Sequence, residues 1–67
     1  MATFHVEASA TVEPGVELAE GVKIWHQAQV RSGAKIGANV IIGKGAYIGS
    51  GVEIGANSKV QNSALIY

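Results

Sequence analysis

Ile36-Gly-Ala-Asn-Val-Ile-Ile-Gly-Lys-Gly-Ala-Tyr-Ile-Gly-Ser-Gly-Val-Glu-Ile54 decides the fold. An isoleucine followed by glycine returns every six residues, at 36, 42, 48 and 54, and a small or β-branched residue stands four positions after the first three, at Val40, Ala46 and Val52. The same step carried outward in both directions gives Val6, Val12, Leu18, Ile24, Val30, Ile36, Ile42, Ile48, Ile54, Val60 and Ile66, every one a branched aliphatic. Self-similarity at a fixed short period is the mark of a repeat architecture. Each hexad contains an in-out-in triplet such as Ala28-Gln29-Val30, the alternation of a β-strand with one buried face, and its other three positions form a turn. The third turn position reads Ser9, Gly15, Gly21, Gln27, Gly33, Asn39, Gly45, Gly51, Asn57 and Ser63, mostly residues that tolerate a left-handed backbone. A helix is excluded, because six is not a multiple of 3.6 and nine glycines would melt it.

Short strands joined by identical bends cannot bury their apolar faces singly, but stacked coils enclose one continuous core. Three hexads per coil predict a triangular prism with 18 residues per turn and about three coils: an all-β parallel β-helix over 6–67, preceded by a lead-in at 1–5. With 67 residues there is room for one small domain, and a domain of this size is marginal unless it associates or is cross-linked. Cysteine is absent, which removes disulfides and thiolate zinc sites. Five Lys and Arg balance five Glu, so no overall basic field is present to hold a nucleic acid or an anionic membrane. No apolar run approaches the roughly 20 residues of a membrane span, and no basic segment leads into an apolar core at the N-terminus. A soluble, cytoplasmic protein without nucleic-acid or membrane partners is expected.

The hexad [LIV]-G-x-x-[AV]-x resembles that of the hexapeptide-repeat acyltransferases, and the resemblance implies a left-handed β-helix, against the right-handed rule for ordinary parallel crossovers. Gly21-Val-Lys-Ile-Trp-His-Gln-Ala-Gln-Val30, Gly33-Ala-Lys-Ile-Gly37, Ile48-Gly-Ser-Gly-Val-Glu-Ile-Gly55 and Lys59-Val-Gln-Asn62 are most similar to the N-terminal coils of bacterial UDP-amino-sugar N-acetyltransferases. Within that group they resemble enzymes that acetylate the 3-amino group of a UDP-linked amino-glucuronic acid. The resemblance implies acetyl-CoA as co-substrate, a homotrimer with active sites between subunits, and further coils that hold the acyl-donor cleft and most catalytic groups. It therefore implies a chain without the family's C-terminal coils, binding no cofactor by itself and inactive in isolation.

Stacked by 18, the sequence sorts into three corners and three faces. One corner contains Glu7-Ala8-Ser9, Trp25-His26-Gln27, Gly43-Lys44-Gly45 and Gln61-Asn62-Ser63, and all three departures from Gly or Asn at the third turn position fall there. The other corners keep plain turns such as Gly37-Ala38-Asn39 and Gly49-Ser50-Gly51, so the first corner is expected to carry recognition and the others geometry alone. Packing of its larger side chains against a neighbouring subunit is the competing account. The outward strand residues read Thr11, Gln29, Tyr47 and Leu65 on the first face, Glu17, Lys35 and Glu53 on the second, and His5, Lys23, Ile41 and Lys59 on the third. The second is a charge ladder of alternating sign. The uncharged first face, beside Trp25, suits a subunit contact, where aromatics are enriched and charges depleted. The apolar upper end invites end-to-end association.

His26 is the candidate catalytic residue, a neutral imidazole able to take a proton from an attacking amine. Trp25, Gln27, Gln61, Asn62, Tyr47 and Leu65 are the candidate substrate or interface residues. His5 reads as a surface or capping residue. No metal site is expected, because the histidine-ligated zinc enzymes of this fold need three histidines and this chain has two in different columns. Serine nucleophiles lack a base at recognisable spacing. Gly43-Lys44-Gly45 is not a phosphate loop, since no helix follows to offer its N-terminus. Along the axis Glu7, Glu13, Glu17 and Glu20 lie low, and Lys23, Arg31, Lys35, Lys44 and Lys59 lie higher with Glu53 alone. Two functions remain at this stage: a module of a sugar-nucleotide N-acetyltransferase, or a structural, self-assembling β-prism without catalysis.

Overall fold

The computed structural model describes residues 3–67, so Met1 and Ala2 of the lead-in lie outside the described residues. Eleven two-residue strands follow one another at the hexad interval. They are β1 (His5–Val6), β2 (Thr11–Val12), β3 (Glu17–Leu18), β4 (Lys23–Ile24), β5 (Gln29–Val30) and β6 (Lys35–Ile36), then β7 (Ile41–Ile42), β8 (Tyr47–Ile48), β9 (Glu53–Ile54), β10 (Lys59–Val60) and β11 (Leu65–Ile66). Each pairs in parallel with the strand three further on, giving sheets β1-β4-β7-β10, β2-β5-β8-β11 and β3-β6-β9. The register is 18 throughout, as in Gln29↔Tyr47 and Lys35↔Glu53. The three faces are those the sequence assigns, and the whole is a solenoid of about three turns, a left-handed parallel β-helix.

Coils are joined by repeated backbone bonds in which an amide donates to the carbonyl 17 residues ahead. Lys23 N to Val40 O at 2.9 Å and Trp25 N to Ile42 O at 3.0 Å are one such pair. Inward positions fill the axis. Val22, Ile24, Ala28, Val30, Ala34, Val40, Ile42, Ala46 and Ile48 are closed to solvent. The lower rim (Val6, Ala10, Val12, Val16, Leu18) and the upper rim (Val52, Ile54, Ala64, Ile66) are only partly covered, because a stacked core is sealed from above and below. No polar or charged residue is buried among the described residues, so any chemistry belongs to the outer surface.

Two glycines show what the close stacking demands. A Cβ on Gly37 would stand 2.6 Å from the Ala56 amide nitrogen, and one on Gly43 would stand 2.8 Å from both Asn62 N and Val60 O. The backbone of the coil above leaves no space for a side chain at either place.

Candidate functional site

On the first corner, successive coils bring Glu7, Ser9, His26, Gln27, Lys44, Asn62 and Ser63 together, as the 18-residue stacking anticipates. His5 Nε2 donates to Glu7 Oε2 at 2.5 Å, and its ring lies 5.7 Å from that of Trp25, tilted by 54°. His5 is an exposed strand residue that bonds to this corner through Glu7. The other carboxylate oxygen, Glu7 Oε1, is 3.5 Å from His26 Nδ1. The bond from His5, with the imidazole of His26 beyond, holds the Glu7 carboxyl below its ordinary value.

The sequence singles out His26 alone, and the structure adds a carboxylate, Glu7, beside its imidazole. Ser9 Oγ is 3.4 Å from the same ring nitrogen, His26 Nδ1, and accepts the Gln27 amide at 3.1 Å. A serine relay needs its hydroxyl and its carboxylate on opposite nitrogens of the ring. Ser9 and Glu7 address one nitrogen, so Ser9 is not an activated nucleophile. The other ring nitrogen of His26, Nε2, has no partner among the described residues. No group of three or more His, Cys, Asp or Glu able to hold a metal ion forms among the described residues.

Higher on this corner Asn62 Oδ1 accepts the Lys44 amide at 3.0 Å, fixing the asparagine across two coils. Gln61 is exposed and Trp25 is 37% exposed. Gln27 and Ser63 adopt left-handed backbone at φ 62° and 61°. Ser9, in the same column, is not among the positive-φ residues. Its turn departs from the others, and its hydroxyl supplies the acceptor for the amide above.

Tyr47 and Leu65 lie apart from this group, on the neighbouring face. Leu65 is 61% exposed, and the Tyr47 ring packs at 5.6 Å against Tyr67, itself 84% exposed. This face is less neutral than its own residues suggest. Arg31, on the second corner, donates from Nη1 to Tyr47 Oη at 3.1 Å and from Nε to Glu13 Oε1 at 2.9 Å, while Glu13 Oε1 also accepts the Ser32 amide at 2.8 Å. Arg31 and then the Ser32 amide hold the Glu13 carboxyl low. The second corner therefore does more than turn the chain, contrary to the sequence-based expectation. The spacing of 18 between Glu13 and Arg31 was the available signal. On the third corner Asn39 Nδ2 donates to Asn57 Oδ1 at 3.3 Å.

The charge ladder keeps its register, Glu17↔Lys35↔Glu53, yet forms no ion pair within 4.0 Å among the described residues. Beside it, the small residues Ala19, Gly37 and Gly55 leave an open groove of about 300 Å³.

These features define a hexapeptide-repeat β-helix domain with Glu7, Ser9, His26, Gln27 and Lys44 stacked on one corner. The family described as bacterial transferase hexapeptide (six repeats) matches residues 33–67, about half of the chain, and the chain belongs to that family. The match takes in Gly43-Lys44-Gly45 and Gln61-Asn62-Ser63, and Trp25-His26-Gln27 precedes it. Comparison with curated proteins and with solved structures gives no match.

Proposed function

We propose that the chain is the N-terminal β-helix portion of an acetyl-CoA-dependent sugar-nucleotide N-acetyltransferase, binding the sugar nucleotide on the first corner and supplying no turnover in isolation. Membership of the transferase hexapeptide family carries this reading. The corner supports it chemically. His26 has Glu7 beside its Nδ1 and an Nε2 without a partner among the described residues, and Gln27, Lys44, Gln61, Asn62 and Ser63 are exposed polar residues of the same corner. In this reading turnover awaits the further coils to which the family resemblance assigns the acyl-donor cleft.

The working form in this reading is a homotrimer through the Thr11, Gln29, Tyr47 and Leu65 face with Trp25 at its margin. Exposed apolar groups on one strip support that assignment. Replacing Tyr47 and Leu65 by Glu would bury unpaired charge at the contact, which costs several kcal/mol. Sedimentation should then shift from trimer to monomer or unfolded chain, and a monomeric wild type at high concentration would dismiss the trimer.

The functional reading is tested by titrating the protein with UDP-N-acetylglucosamine and with acetyl-CoA, and by a thiol-release assay with acetyl-CoA and a UDP-linked amino sugar. Measurable binding of the UDP-sugar without turnover is expected. Turnover abolished by His26→Ala would overturn the inactivity and make His26 the general base. Failure to bind either compound would favour a purely structural β-prism.

A further inference from the structure

We infer that Gln27 is a specificity-determining contact of the first corner, kept in a strained backbone so that its side chain meets the ligand; the inference rests on the sugar-nucleotide reading above. Nine of the ten third-turn positions have positive φ. Five are glycine, which takes this conformation freely, and two are Asn39 and Asn57, the side-chain type that most readily accompanies it. The remaining two are Gln27 at φ 62° and Ser63 at φ 61°, and both lie on the first corner with Gly45, at φ 70°, on the coil between them. The fold therefore has a strain-free solution for this column and uses it on the intervening coil.

Nothing inside the molecule accounts for glutamine at 27. Its side chain is exposed and makes no hydrogen bond among the described residues, and its one contact of this kind comes from the backbone amide to Ser9 Oγ. Asn39 differs, since its amide group is tied to Asn57 on the next coil. An outlier of this type, over-determined by the surrounding coils and carrying an idle side chain, marks a ligand contact better than a structural one. Its surroundings give the ligand's chemistry. His26, Lys44, Asn62 and Ser63 offer donors, acceptors and one ammonium, which suit hydroxyl and phosphate oxygens; apolar groups that suit a subunit contact lie on the next face at Tyr47 and Leu65.

Gln27→Gly should raise the thermal midpoint by about 4–8 °C, the shift that relief of one left-handed residue gives a domain of this length. It should also weaken binding of UDP-N-acetylglucosamine by about tenfold or more, the size of one lost polar contact to a charged or multiply bonded ligand. Gln27→Ala keeps the strain and removes the amide, so it should weaken binding equally with no gain in midpoint. Amide shift changes in the wild type should cluster at Gln27, Lys44, Asn62 and Ser63. A Gln27→Gly protein no more stable than wild type would overturn the strain premise, and one more stable that binds unchanged would overturn the ligand role. Wild-type shifts confined to the Glu17–Lys35–Glu53 groove would sink this inference while leaving the sugar-nucleotide reading standing, and absence of binding at millimolar probe would sink both.

Discussion

The first and third corners make the same bend from different residues. On the third, Ala19-Glu20-Gly21, Gly37-Ala38-Asn39 and Gly55-Ala56-Asn57 turn the chain with small side chains apart from Glu20, and with an asparagine pair. On the first, the same positions hold Glu7, Trp25, His26, Gln27, Lys44, Gln61 and Asn62. Both corners keep the 18-residue register and the same amide-to-carbonyl bonds, Gly37 N to Ile54 O at 2.8 Å and Gly43 N to Val60 O at 2.9 Å. The bend therefore asks little of the sequence beyond a left-handed residue at nine of its ten third positions, since the first position takes Trp25 and Arg31 as well as Gly37 and Gly43. Large side chains at the turn serve something other than the bend, and the difference between the corners separates geometry from chemistry.

If the two corners share one geometry, a methyl group at the close approach should harm both alike. Gly37→Ala and Gly43→Ala each drive a Cβ into backbone of the coil above, and each is expected to destabilise by about 1–3 kcal/mol in urea unfolding. A large loss at one and none at the other would break the equivalence. At the third turn position the effects are smaller and differ in kind. Asn39→Gly loses the amide bond to Asn57 and gains no relief of strain, so a change within about 0.5 kcal/mol of zero, or slightly destabilising, is expected.

The second corner sharpens the comparison because its polar groups are satisfied within the molecule. Glu13 is held below its ordinary 4.5 by Arg31 and the Ser32 amide. A carboxylate whose folded value is depressed contributes stability that is fully present above its unfolded value and is lost as pH falls through the folded one. The urea midpoint should accordingly fall between about pH 5 and pH 3, and Glu13→Gln should flatten part of that fall. An unaltered pH profile in Glu13→Gln would show that the Glu13–Arg31 tie adds nothing to the fold. Since the pair is exposed, high salt should weaken the effect.

Almost all of the fold was legible before any coordinates, because one period fixes strand, turn, face and corner together. Ile24, Ile42 and Val60 stack because they are 18 apart, and nothing else competes for the axis. The first corner was legible as a set of residues for the same reason. What the period does not carry is the direction of a long side chain. Glu7 reaching His26, and Arg31 reaching from its corner to Tyr47 on the adjacent face, depend on rotamers that the repeat leaves open. The positive φ of Gln27 was legible in position, from the column it occupies, but its significance emerges only beside an exposed amide with nothing to bond.

The most direct test is to give the first corner the sequence of the third. Trp25→Gly, His26→Ala and Gln27→Asn, made together, write Gly-Ala-Asn where the chain turns at 25–27, as it already does at 37–39. Thermal midpoint and affinity for UDP-N-acetylglucosamine are then measured on the same preparation. A folded protein with a midpoint equal to or above the wild type and no measurable affinity for the UDP-sugar is the predicted result. A collapse in stability would show that Trp25, His26 and Gln27 hold the prism together, and unchanged affinity would show that the ligand corner lies elsewhere.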